Sequence, residues 1–421
     1  MTACAQRLDT FPATDRGEAR GPRVALARRV VRAALERVPV RVRMPDGSWW
    51  TRHQDDSLPA IEMIRPDALF ARIAASPKIG IGEGYMAGDW QVDAGTDLAA
   101  ALLPFAERMS SAVPPALLRL RGLVDRPIPL RHRNSPEGSR RNIEAHYDLS
   151  NDLFETFLDD SLSYSSALFD DATGWASQDL VSAQERKVDA ILDLARVGPG
   201  SSVLEIGTGW GTLAIRAAMR GARVLTITLS HEQAALARRR IREAGLDASV
   251  EVRIADYREV RGTYDAVVSV EMIEAVGEEF WPAYFGSLDR MLAPGGTVAI
   301  QAILMEHDRY RATRRSYGWI QKHIFPGGLI PSLRAIEEVA ASATTLQADH
   351  VHRFGLHYAE TLRRWREAFV AAADRVDALG FDETFRRKWE FYLAYCEAGF
   401  AAGYLDVAQI RLTRPTDEVP A

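Results

Sequence analysis

Apolar positions in this chain recur with two periods. Short runs centred on Val203–Ile206, Arg223–Leu229, Val250–Ile254, Tyr264–Val270 and Gly296–Ala302 read as buried strands. Amphipathic stretches of helical period separate most of them. Strand and helix in alternation predict a parallel sheet covered on both faces. Ligands of such sheets lie beyond the carboxyl ends of the strands. Upstream, Gln178–Leu194 reads as a helix leading into the first strand. Downstream, Leu333–Ala343, Leu356–Leu379 and Asp382–Gly403 read as helices, and Thr345–Phe354 and Ala408–Thr413 as strands. Residues 304–331 form an insertion; with the late helices they are the parts expected to build a substrate cavity, and Ser332 is a predicted helix cap.

The N-terminal third has a different texture. Residues 1–20 are polar and unpatterned, which predicts a disordered tail. Val24–Val38 is a basic amphipathic helix with Val24, Ala27, Val31, Ala34, Leu35 and Val38 on one stripe. It suits either a surface helix of a small domain or a helix lying on a membrane. Val40–Trp50 reads as a hairpin turning at Pro45-Asp46-Gly47. Ala68–Ala75, Thr96–Met109 and Pro115–Leu123 read as helices, and the glycine-rich Ile79–Trp90 as a tight connector. Basic, Pro- and Ser-bearing 126–141 reads as a linker. The expected division is a tail (1–20), an α-rich (α+β) lipid- or membrane-associated domain (21–125), the linker (126–141) and a catalytic domain (142–421).

Composition adds a few bounds. A length of 421 residues suggests two domains. Cys4 and Cys396 cannot build a disulfide framework, no apolar run suits a membrane span, and no signal-peptide core is present. These features predict a cytoplasmic protein. Behind the net charge of −5, residues 1–141 carry an excess of Lys and Arg and the remainder an excess of Asp and Glu. A basic segment of this kind suits contact with an anionic surface, or is a solvated Arg-rich face. The acidic catalytic region argues against nucleic acid as a substrate.

The chemistry centres on Ser201–Gly211, S-S-V-L-E-I-G-T-G-W-G. A buried strand, a turn with Gly207, Gly209 and Gly211, and a helix start let the backbone approach a ligand closely.

Four segments together resemble the cyclopropane-fatty-acid synthase family: H-Y-D-L-S-N-D-L-F-E-T-F-L-D from His146, V-L-E-I-G-T-G-W-G from Val203, S-V-E-M-I-E-A-V-G from Ser269 and I-F-P-G-G-L-I-P-S from Ile324. The resemblance spans about Asn142 to Phe400. It implies a Rossmann-like class I methyltransferase with a mostly parallel seven-stranded sheet. It also implies S-adenosylmethionine as cofactor and methyl transfer to the double bond of an unsaturated acyl chain of membrane phospholipid. It places Tyr147, Tyr164, Ser165, Gly207, Gly209, Gly211 and Val270 about the cofactor. Thr228, Leu229 and Gln233 surround its ribose and adenosine; Tyr257 stacks on adenine and Asp256 binds the adenine amine. The alkene attacks the activated methyl, a carbocation forms, and a base removes a proton. In this family the base is a bicarbonate ion, whose ligands match Glu274, Tyr358 and the backbone of Ile303. Glu271 is a rival carboxylate. Tyr317, Trp319, Phe325 and Tyr358 are aromatic candidates for stabilising the cation. The resemblance further implies attachment to the inner face of the membrane and a homodimer; no metal is expected.

Two positions depart from the family. Ser166 stands where many members have Cys, and Gln301 where several have His. Gln can donate a hydrogen bond to bicarbonate but cannot carry its proton. The departures leave methyl transfer intact and keep two products open: a cyclopropane, or a methylene- or methyl-branched chain. Two other readings are a methyltransferase of a soluble small molecule and a non-catalytic lipid-binding protein that kept the fold.

Overall fold

A computed structural model of the chain describes residues 21–53, 55–108, 129 and 150–415. The expected tail, the helix at Pro115–Leu123, the linker (Pro129 apart) and Tyr147 lie outside these residues. The chain divides into two compact units, one up to Val124 and one from Asp125.

In the first unit, α1 (Pro22–Leu35) turns Val24, Ala27, Val31, Ala34 and Leu35 toward its own unit, while Arg28, Arg29 and Arg32 are exposed. Along that stripe Leu35 is buried and Val24, Ala27, Val31 and Ala34 are half-buried. The hairpin expected over Val40–Trp50 is reduced. The chain does turn at Gly47 (φ +84°), but the return leg makes a single bridge, Arg43 to Trp49. Instead β1 (Arg41–Arg43) pairs in parallel with β2 (Ala60–Met63), and β2 pairs antiparallel with β3 (Trp90–Val92). Helices α2 (Pro66–Ala75) and α3 (Pro77–Met86) follow β2, and α4 (Leu98–Glu107) follows β3. The glycine-rich segment expected to be a connector is thus mostly helix α3. Its glycines serve packing: a Cβ on Gly80 would lie 2.5 Å from the Arg72 carbonyl carbon of α2, and one on Gly84 2.6 Å from Leu69 Cδ1. Helix propensity is sacrificed so that two helices can approach closely.

The second unit is a seven-stranded sheet ordered β6-β5-β4-β7-β8-β10-β9. Its strands are β4 (Ser202–Ile206), β5 (Arg223–Thr228), β6 (Val250–Ile254), β7 (Tyr264–Val270), β8 (Leu292–Met305), β9 (Gln347–Arg353) and β10 (Leu405–Thr413). The first five are parallel; β10 runs antiparallel between β8 and β9. Successive residues of β4 point to opposite faces. Val203 packs with Val188, Ile191 and Leu213 from α5 (Leu180–Leu194) and α6 (Thr212–Met219), and with Ala237 from α7 (His231–Glu243). Leu204 and Ile206 face the opposite layer with Phe285 and Leu288 of α8 (Trp281–Arg290) and Ile336 of α9 (Leu333–Ala343). Ser332 caps α9 by accepting the Ala335 amide at 3.1 Å.

The helix expected over Leu356–Leu379 breaks at Ala372, leaving α10 (Gly355–Ala371) and a short helix at Ala373–Ala378. Helix α11 (Glu383–Ala401) packs against α10. No helix among the described residues is long and apolar enough to cross a membrane.

The α2–α3 contact gives one expectation. Gly80→Ala should destabilise the N-terminal unit by about 2 kcal/mol, since backbone cannot yield to an added methyl as a side-chain tip can. Chemical denaturation checks it; unaltered stability would mean that the two helices do not approach this closely.

Candidate active site

The site assembles at the carboxyl ends of β4, β5, β6 and β7, where the connecting loops enclose a cleft of ≈ 1270 Å³, open mouth included. Its floor is the turn after β4. Gly207, Gly209 and Gly211 all have positive φ, +98°, +52° and +93°, but they do different things. A Cβ on Gly207 would meet Met272 Sδ at 2.7 Å, and one on Gly211 would press Ala237 of α7 at 3.3 Å. Only at Gly209 would a side chain enter open space. Gly209 therefore forms the cradle, and Gly211 is a packing residue that does not line the cleft.

Tyr164, Ser165, Gly207, Gly209, Thr228, Leu229, Gln233, Asp256, Tyr257 and Val270 all border the cleft. Thr228 Oγ1 donates to Gln233 Oε1 at 3.0 Å, which sets a polar edge at the end of β5. At the end of β6, Asp256 accepts from its neighbour Arg258 through Nε (2.8 Å) and Nη2 (2.7 Å). The carboxylate expected to meet an adenine amine is thus already engaged. Burial pushes the Tyr257 hydroxyl up to about 12, which leaves a neutral aromatic face on the wall. A glycine cradle, a hydroxyl and amide edge, and an aromatic wall fit the methionine, ribose and adenine parts of S-adenosylmethionine.

Trp210 and Arg240 fix the loop in front of this floor. Trp210 Nε1 donates to Asn151 Oδ1 at 2.7 Å. Arg240 of α7 donates to the carbonyls of Ser161 (3.0 Å) and Trp210 (2.9 Å). The hydroxyl-rich segment after Ser161 is held over the cleft by these bonds.

The catalytic set expected from the sequence divides between two carboxylates. Glu271 follows β7 in the left-handed region (φ +52°), uncommon for a residue with a side chain. Its Oε1 accepts from the Ser166 amide at 3.0 Å and from Gln301 Nε2 at 2.8 Å; its Oε2 accepts from the Tyr358 hydroxyl at 2.8 Å. Three of the four groups expected to serve a bicarbonate ion beside Glu274 instead converge on Glu271. The fourth, the Ile303 amide, donates to Glu274 Oε1. The other oxygen of Glu274 is buried with no hydrogen-bond partner among the described residues. Bicarbonate would have to displace Glu271 to reach those donors, so the residues present do not fit it. Ser166 contributes its backbone; its hydroxyl turns away to the Ala167 carbonyl at 3.0 Å. The substitution of Ser for Cys therefore costs this contact nothing.

Burial raises both carboxyls, but unequally opposed. For Glu271 the Ser166 amide, Gln301, Tyr358 and the Lys187 charge all pull back down. Glu274 is pushed up to about 8 by burial and by the Glu271 charge beside it, with backbone amides, its own and that of Ile303, opposing. The donors around Glu271 favour its charged form over that of Glu274.

An aromatic cluster surrounds Tyr358, the residue whose hydroxyl meets Glu271. Tyr164 and Tyr392 share a hydrogen bond of 2.8 Å, and Tyr164 lies 5.4 Å from Trp365 between ring centres. Tyr358 packs on Phe400 at 4.5 Å. Of the other expected aromatics, Phe325 approaches Tyr392 (5.8 Å), while Trp319 packs on Phe391 (4.9 Å).

Sequence reasoning missed Lys187, Gln409 and Arg240. Lys187 had a readable signal: a cation on the apolar stripe of its helix, with Ala183 and Ile191 one turn either side. Gln409 had none, because its role depends on lying opposite Gln301 across β8 and β10.

Comparison with known proteins places the chain in a family. A family model described as mycolic acid cyclopropane synthetase matches residues 134–410. The chain is 48% identical over 412 residues to tuberculostearic acid methyltransferase UfaA1 of Mycobacterium tuberculosis, covering 96% of each protein. It is 31% identical over 397 residues to cyclopropane-fatty-acyl-phospholipid synthase of Escherichia coli, covering 89% of this chain and 95% of that one. The crystal structure of mycolic acid cyclopropane synthase CmaA1 complexed with SAH and CTAB superposes with a TM-score of 0.59 at 29% identity, over 65% of this chain and 97% of that one. By family model, relatives and fold, the chain belongs to the mycolic acid cyclopropane synthetase family of S-adenosylmethionine-dependent C-methyltransferases.

Proposed function

We propose that this enzyme methylates the double bond of an unsaturated fatty acyl chain of membrane phospholipid, with Glu271 as the base and a methylene- or methyl-branched chain as the product. The observation that carries the reading is the convergence of Ser166, Gln301 and Tyr358 on the Glu271 carboxylate. A side-chain base stands where cyclopropane synthases are expected to hold a bicarbonate ion. The relative named for methyl transfer to an acid, rather than for ring formation, shares 48% identity, which supports the branched product. The SAH-bound relative supports placing the cofactor over Gly209.

Bound there, S-adenosylmethionine supplies an electrophilic methyl to the alkene, which leaves positive charge on the acyl chain. Protein side chains then contain that charge and remove the proton. The rings of Tyr164, which borders the cleft, and Tyr358, which meets Glu271, stabilise the charge, and Trp365 and Tyr392 packed behind them help exclude water that would trap it. Glu271 accepts the proton, and the C–H pair closes a new double bond. A carboxyl held above its ordinary range is a better base than an exposed one, provided it stays ionised at working pH. The Tyr358 and Gln301 bonds orient the carboxylate while it does so.

Incubation with methyl-labelled cofactor and vesicles of monounsaturated phospholipid, followed by mass spectrometry that locates the added carbon, tests the reading. Label in a branched or methylene chain is expected; label confined to a soluble compound, or in a cyclopropane, overturns substrate or product respectively.

Glu271→Gln should bind cofactor normally and lose at least ~100-fold in turnover, with Glu274→Gln losing far less. Turnover should be indifferent to removal of bicarbonate from the buffer. A bicarbonate requirement, or the reverse order of the two variants, would return the base to the ion.

Glu274 also gives a stability expectation with a definite sign. Its folded pKa, about 8, lies above the ordinary 4.5, so the folded protein holds a proton that the unfolded chain loses. Stability from this group is full below pH 4.5 and declines as pH rises toward 8. Glu274→Gln mimics the neutral acid, so relative to wild type it should gain roughly 1 kcal/mol or more between pH 5 and pH 8. Denaturation curves at the two pH values measure it; a difference that does not change with pH means that Glu274 is ionised in the fold.

A further inference from the structure

Beneath the glycine turn, α5 buries a cation. Lys187 is 2% exposed, borders the cleft together with Glu205 and Glu271, and donates from Nζ to Ser165 Oγ at 2.6 Å. An ammonium removed from water needs opposite charge nearby. Arg258, the other cation on the cleft wall, is committed to Asp256. Arg240 spends its hydrogen bonds on carbonyls and the Thr212 hydroxyl. Lys187 is left to the acidic groups around it.

Lys187 also joins two arms that end on the same carboxylate. Its ammonium holds Ser165, and the next residue, Ser166, donates its amide to Glu271 Oε1. Its carbonyl accepts from Gln409 Nε2 at 3.0 Å, and the same nitrogen donates to Gln301 Oε1 at 3.2 Å. With its oxygen taken by Gln409, the Gln301 amide can only present its NH₂ to Glu271, at 2.8 Å. The circuit closes on Glu271 from both sides.

We propose that Lys187 is a positioning residue for proton removal: its buried ammonium is the counter-charge that keeps Glu271 an anion, and its two arms aim the donors that hold that carboxylate. The inference rests on Glu271 being the base. Burial pulls the ammonium down to about 8, while Glu271, then Asp159 and Glu205, pull it back up. The titratable groups around Glu271 are Lys187 from α5, Glu205 from β4, Glu274 from its own loop, Tyr358 from α10, and Tyr164 and Asp159 from the segment over the cleft. Lys187 is the one cation in this set. Removing it leaves Glu271 among acidic groups and raises the pH at which it ionises.

Lys187→Met keeps the bulk of the side chain and removes the charge. With vesicles of dioleoylphosphatidylglycerol as substrate, kcat at neutral pH should fall at least about ten-fold, with cofactor affinity within about three-fold of wild type. The acidic limb of the kcat–pH profile should move up by about one unit or more, as expected when a nearby opposite charge is lost. A lower kcat with an unmoved limb, or a loss confined to cofactor affinity, overturns the inference. Glu271→Gln runs alongside: full turnover in that variant ends the assignment of the base. An inactive Glu271→Gln with an unmoved limb in Lys187→Met ends the role of Lys187 alone. Should Lys187→Met not fold, infrared difference spectra of wild type against Glu271→Gln decide. An ionised carboxylate band at neutral pH is expected, and a neutral-acid band overturns the proposal.

Discussion

A carboxylate cannot be buried without partners, and much of the catalytic unit is arranged to satisfy one. Glu271 draws a donor from the segment over the cleft (Ser166), one from β8 (Gln301) and one from α10 (Tyr358). Segments far apart in sequence must therefore meet at one point. The left-handed backbone at Glu271 costs energy that a glycine at this bend would avoid. The same φ turns its side chain toward the cleft bordered by Gly209, where the methyl donor fits.

The neighbouring carboxyl shows why the surroundings matter more than residue type. Glu271 and Glu274 lie three residues apart in the chain and are both half-buried. Glu271 meets three donors and a lysine; Glu274 meets the Ile303 amide and the charge of Glu271. Two carboxylates this close do not both ionise readily. The donors favour charge on Glu271, and their scarcity favours a proton on Glu274. On the proposed reading, that division gives the site a base without a bound ion.

Much of this was legible beforehand. The β4 turn, the ends of β5 and β6, and the residues bordering the cleft follow from apolar runs that end in glycines and polar residues, a signal that is local in sequence. The N-terminal unit was less legible. Helix α3 carries glycines at Gly80, Gly82 and Gly84, which local propensity reads as a loop, whereas packing against α2 needs Gly80 and Gly84 small. The segment after β1 has the turn chemistry of a hairpin, yet β1 takes β2 as its partner, and strand pairing is decided by what lies beside a strand after folding.

The order of strands and helices and the place of the cofactor cleft were written in the sequence, because they depend on periodicity and on turn residues a few positions apart; most of the catalytic candidates came from the family resemblance of four motifs. Which carboxylate receives Tyr358, which way the Gln301 amide faces, and that a lysine on a buried stripe serves both were decided only by the tertiary structure. Those facts depend on side chains brought within 3 Å or so from positions 30 to 220 residues apart, and the hydrogen bonds of a buried site form only when the whole sheet is in place.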